Sequence, residues 1–120
     1  MDLKMSVVIV CYNEKNNICD CLDSVITQDY PSELYEIVVV DNCSTDGTAE
    51  ILVGYTVKNK NLRVLKNPVK SIAKSRNIGV NGAVNPLIVF IDADCMASPS
   101  WLSRYASAYQ RLVATCPEMA

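Results

Sequence analysis

The chain has 120 residues and no histidine. That absence removes imidazole bases, Ser-His and Cys-His nucleophile pairs, and histidine metal ligands. Acid–base or metal chemistry must come from carboxylates, cysteine, lysine or tyrosine. Long hydrophobic runs are also missing: the apolar stretches are of strand length, far below the roughly 18 residues a membrane span needs. Met1 to Lys4 has no signal-peptide character, because polar residues lead at once into a strand-like run. A cytoplasmic location is therefore expected, with membrane association of a longer protein left open. No excess of one charge exists either. Eleven Lys and Arg face thirteen Asp and Glu, a net charge of −2, so nucleic acid is not expected as a partner. Six cysteines are present but no C-x-x-C pair, which suits reduced thiols. Cys11, Cys43 and Cys95 fall at strand ends. Small buried hydrophobes are the expected reading of them, and a zinc site the alternative.

What is present is an α/β pattern in one domain, residues 1–120. Four apolar runs rich in Val and Ile recur, at 6–12, 35–41, 62–67 and 86–92. They do not alternate cleanly, as befits parallel strands buried on both faces. Between them Ile18, Leu22, Val25 and Ile26 mark one helical face. Residues 48–58 and 71–83 are further helices. Ser98-Pro99 reads as the cap and first residue of a last helix, with Leu102, Tyr105, Ala106, Tyr109, Leu112 and Val113 on its apolar face. Strand–helix alternation predicts a parallel Rossmann-like sheet in the order 3-2-1-4, with helices on both faces.

Ligands of open α/β sheets sit beyond the carboxyl ends of the strands. Those ends carry Tyr12-Asn13-Glu14, Asp41-Asn42-Cys43-Ser44-Thr45-Asp46-Gly47, Asn67-Pro68 and Asp92-Ala93-Asp94. Acidic groups stand at three of the four. They repel a bare phosphate, but accept one across a divalent cation. Asp92 and Asp94, at i and i+2 of an extended chain, point the same way and suit Mg²⁺ or Mn²⁺.

Four stretches in order, SVVIVCYNE (6–14), EIVVVDNCSTDGT (36–48), SIAKSRNIGV (71–80) and IVFIDADC (88–95), together with Pro99-Ser100-Trp101-Leu102, resemble the nucleotide-binding half of a family 2 glycosyltransferase of the GT-A fold. The resemblance implies a nucleotide-diphosphate sugar as donor, UDP-linked by preference. It implies Tyr12 against the base, Asp41 accepting from the base imide, and Arg76 beside the nucleotide. Asp92 would hold the ribose or share the metal, Asp94 would ligate it, and Asn13 and Glu14 belong to the same turn. Structural duties compete with several of these roles: Tyr12 packing a strand end, Arg76 pairing on the helix surface, and Ser44, Thr45 and Asp46 capping the next helix. The sequence departs from the family pattern at Val10, where proline is usual, at Cys43, where glycine is common, and at Val69-Lys70-Ser71, which lacks glycine.

Family members have about twice this length in the catalytic domain, and the other half carries the acceptor site and the carboxylate base that deprotonates the acceptor hydroxyl. Glu118 is not a candidate for that base. The expectation is a donor-binding region, inactive alone, with an unpaired sheet edge that recruits a second copy. The alternatives are a non-catalytic oligomerising module and an Asp-nucleophile phosphatase, with Asp92 as nucleophile and Asp94 as acid–base.

Overall fold

The computed structural model describes residues 3–116. In chain order it has β1 (Met5–Cys11), α1 (Ile18–Ile26), a short 3₁₀ turn (Ser32–Leu34), β2 (Tyr35–Asp41), α2 (Thr48–Lys58), β3 (Leu62–Lys66), α3 (Ile72–Gly82), β4 (Leu87–Phe90) and α4 (Trp101–Thr115). The strands form one sheet in the order β3-β2-β1-β4, and every pairing is parallel. This is the expected topology. The chain runs outward from β1 to β2 and β3, then crosses back to lay β4 on the other side of β1. The strand order therefore reverses between β1 and β4.

Both faces of the sheet are covered, because the strands are apolar on both. On one face Val7, Ile9, Ile37 and Val39 pack with Ile18, Leu22 and Val25 of α1, Leu52 of α2 and Leu102 of α4. On the other, Val8, Val38 and Val40 pack with Ile78 of α3. The helix α3 lies close to the sheet because Gly79 has no side chain: a Cβ there would stand 2.5 Å from Val8 Cγ1 and 3.3 Å from Val40 Cγ2.

Two helix expectations need correction. α4 starts at Trp101 with Ser100 before it. Ser98 and Pro99 form a turn instead, in which the Trp101 amide donates to the Ser98 carbonyl at 3.1 Å. The apolar stripe of α4 is fully buried only in the first two turns. Leu102 and Ala106 are buried, whereas Tyr105 and Leu112 remain 42% and 48% exposed.

A polar cluster anchors the amino ends of the strands. Ser6 and Glu36 are register partners, and the Ser6 hydroxyl donates to Glu36 at 2.6 Å. The Val84 amide donates to the same carboxylate at 2.7 Å, and Arg63 pairs with it at 3.0 Å. Burial pushes the Glu36 carboxyl up, but these hydrogen bonds outweigh it and hold the group below its ordinary value. Among the described residues no helix is long and apolar enough to cross a membrane.

Candidate functional site

A cleft of about 480 Å³ opens at the carboxyl end of the sheet, beside the point where the strand order reverses. Its floor is apolar: Val8 and Val10 from β1, with Phe90 and Ile91 from β4 and its end. Tyr12 and Glu14 enter from the turn after β1, Asn42 from the turn after β2, Ile72 and Arg76 from α3, and Asp92 from the turn after β4. An apolar bed with a few converging polar groups, at this size, suits a small-molecule ligand. Four of the residues singled out from sequence thus meet here: Tyr12, Glu14, Arg76 and Asp92.

The other three stand beside the cleft rather than on its wall. Asp41 ends β2, is buried, and accepts from the Ser44 amide at 3.1 Å. Asn13 ties two turns together. Its amide donates to the Ser44 hydroxyl at 3.0 Å, and its side-chain oxygen accepts from the Thr45 amide at 2.7 Å. It does so in the left-handed region, φ 51°, which asparagine tolerates better than most residues. Of Ser44, Thr45 and Asp46, only Asp46 bonds into the following helix, accepting from the Thr48 amide at 3.1 Å. Ser44 and Thr45 serve the inter-turn staple instead.

Asp94 belongs to a turn. β4 ends at Phe90, Ile91 still donates to the Val8 carbonyl, and the Cys95 amide donates to the Asp92 carbonyl at 3.0 Å, so residues 92–95 fold back. The ligand atoms of Asp92, Asp94 and Cys95 lie within 4.8 Å of one another, all on exposed residues. The two carboxylates come together through a turn, not through the pleat of a strand. Two hard oxygen donors at this spacing fit Mg²⁺ or Mn²⁺. The zinc alternative built from Cys11, Cys43 and Cys95 fails, since this is the only such cluster among the described residues. Cys43 and Cys95 are also exposed rather than buried. Cys11 and Cys21 do behave as buried hydrophobes. Burial first, then neighbouring acidic groups such as Asp41 and Asp94 respectively, push both thiols up to about 12.

The walls are positioned by polar contacts that apolar periodicity does not reveal. Asn42 is buried; its side-chain oxygen accepts from the Ser71 amide and the Ser75 hydroxyl, each at 2.9 Å. Asn67 donates to the same hydroxyl at 3.0 Å. These bonds fix the start of α3 to the ends of β2 and β3, and Arg76 follows Ser75 directly. The turn carrying Asp92 is fixed to α1. Cys21 Sγ approaches the Asp92 carbonyl at 3.6 Å, Ser24 accepts from the Ala97 amide at 2.9 Å, and Gln28 bridges the Ser98 carbonyl and the Leu102 amide at 2.6 and 2.9 Å. Asn42 lies at a strand end, where residue type alone assigns it no role. Ile72 could have been found from its i, i+4 relation to Arg76. Lys70, whose ammonium stands 3.9 Å from the Tyr12 ring centre, carries in the sequence only its charge and its place in a stretch without glycine.

A parallel sheet with a ligand-sized cleft at its switch point defines an open, doubly wound α/β architecture that holds its ligands beyond the strand ends. Comparison narrows this. The family model described as Glycosyl transferase family 2 matches residues 6–118, and the chain belongs to that family. It is 38% identical over 104 residues to Glycosyltransferase AglE of Haloferax volcanii, covering 86% of this chain and 34% of that protein. Among solved structures, TarS 1–349 of Staphylococcus aureus in complex with UDP-GlcNAc superposes with a TM-score of 0.83 at 33% identity, over 91% of this chain and 32% of that one. A mannosyltransferase of Pyrobaculum calidifontis in complex with GDP-Man and Mn²⁺ gives 0.80 at 28% identity, over 86% and 31%. The chain thus spans about a third of the length of these relatives. Family membership replaces the phosphatase alternative.

Proposed function

We propose that residues 1–120 form the donor-binding half of a glycosyltransferase that takes its sugar from a nucleotide-diphosphate sugar, UDP-linked by preference. The observation that carries this reading is the switch-point cleft, which gathers Tyr12, Glu14, Arg76 and Asp92 over an apolar floor. In this reading the Tyr12 ring takes the base, the Asp41 carboxylate reads its imide, and Arg76 offsets phosphate charge. Asn13 shapes the turn that presents Tyr12 and Glu14. Asp94, with Asp92, would hold Mg²⁺ or Mn²⁺, which when bound offsets the charge of the diphosphate leaving group. TarS with UDP-GlcNAc supports the choice of uridine, and the GDP-Man and Mn²⁺ complex supports a divalent cation.

Transfer to an acceptor hydroxyl requires a general base, and this reading places that base and the acceptor site outside residues 1–120. The chain alone then binds donor without transferring sugar, in the cytoplasm. Calorimetric titration with UDP and GDP, with and without MnCl₂, tests it. UDP binding strengthened by Mn²⁺ is the expected result. Absence of binding by either nucleotide, with or without the metal, overturns it.

A further inference from the structure

Lys70 lies on the loop between β3 and α3, two residues before the cleft residue Ile72. Its ammonium stands 3.9 Å from the centre of the Tyr12 ring. Tyr12 is a cleft wall and is 36% exposed. The one ion pair among the described residues joins Arg63 and Glu36, so no carboxylate holds Lys70 where it is. The contact is a cation–π pair at a solvent-exposed site, weak enough to be exchanged for a ligand.

We propose that Lys70 is a displaceable cap on Tyr12, and a second cation for the diphosphate once displaced. This deepens the nucleotide reading above and rests on it. A base that stacks on the face of Tyr12 covered by the ammonium must take its place. The freed ammonium stays tethered beside the ligand by its four-carbon stem. A compact point charge on a flexible stem is suited to phosphate oxygens. The same side chain therefore opposes a ligand that brings only a base and favours one that brings a diphosphate. Lys70 would thus select UDP-linked ligands over free nucleosides. The loop itself need not move, since its Asn67 side chain is bonded to Ser75 at 3.0 Å and the Ser71 amide to Asn42 at 2.9 Å.

The experiment compares uridine and UDP binding, with Mn²⁺ present, by the wild type, Lys70→Met and Lys70→Arg. In Lys70→Met, uridine should bind roughly two- to fivefold more tightly, because its competitor for the ring is gone. UDP should bind about tenfold more weakly, with a shallower salt dependence. Lys70→Arg should restore most of the UDP affinity. Shifts of the two ligands in the same direction, or no shift in either, overturn the proposal while leaving the donor-binding reading intact. A wild type that binds neither ligand overturns the donor-binding reading and this proposal with it. Lys70 is exposed, so its replacement leaves the core intact, and circular dichroism checks that.

Discussion

The amide of Cys95 donates to the carbonyl of Asp92 at 3.0 Å, and that bond folds the D-x-D segment into a turn. The carboxylates of Asp92 and Asp94 come within 4.8 Å of each other because of it. Replacing Asp94 with Ala removes one of the two oxygen donors and leaves the backbone turn in place. The expected outcome is UDP binding that no longer responds to Mn²⁺, with the metal-free affinity little changed. Titration of Asp94→Ala at two Mn²⁺ concentrations checks this. A metal response equal to that of the wild type removes Asp94 from the metal site.

Cys43 adopts φ 64° in the turn after β2, at a position where the family commonly has glycine. The left-handed region costs a residue with a Cβ about 1–2 kcal/mol, and glycine occupies it freely. Some of that gain is returned through the greater unfolded-state freedom of glycine. Cys43→Gly should stabilise the chain by about 1 kcal/mol, roughly 4 °C in melting temperature. A thermal melt unchanged or lowered by the substitution refutes the strain.

Glu36 is the buried acceptor for Ser6, Val84 and Arg63. Its folded-state pKa lies below the ordinary 4.5. The carboxylate therefore contributes stability that is fully present above the unfolded value and is lost as pH falls through the folded one. Glu36→Gln should cost about 1–3 kcal/mol near neutral pH, because it leaves donors imperfectly paired. It should also flatten the loss of stability on the acid side of 4.5. Urea midpoints measured across that range decide the matter, and parallel acid limbs for the two proteins would exclude the assignment.

β4 pairs with β1 along one edge, and no strand pairs with its other edge among the described residues. Phe90 on that strand is 48% exposed, and Tyr105 and Leu112 of α4 are exposed as well. Unpaired edges flanked by apolar side chains invite association. The chain is expected to form a two-fold dimer through this edge or the apolar surface next to it. Sedimentation at micromolar concentration should show a concentration-dependent dimer. A monomer whose Leu87 to Phe90 amides resist exchange would count against it.

The sheet was legible in the sequence because buried parallel strands leave a simple trace. Runs such as Ile37 to Val40 are apolar on both faces, and the helices between them allow one handedness of crossover. The strand-end position of Tyr12, Glu14 and Asp92 followed from the same logic, as did the pairing of Ile18 with Leu22 and Val25. Position 43 departs from the pattern of the family the sequence resembles, and the left-handed backbone there, φ 64°, is the physical reason that glycine suits it. Other features depended on contacts between distant segments, which no local pattern encodes. Asn42 and Asn67 meet at Ser75 only because β2 and β3 are neighbours. Gln28 reaches Ser98 and Leu102 only because α1 and α4 share a face of the sheet. Periodicity assigned α4 a full apolar stripe, but burial depends on what stands opposite, and past Ala106 no described residue of α4 is fully buried. The sequence by itself determined which segments are buried parallel strands and which of their ends carry charge, since both follow from residue type along the chain. Only the tertiary structure decided that Asp92 and Asp94 meet through a turn, that Lys70 covers Tyr12, and that Asn13 joins two turns, because each depends on how separate loops fold against one another.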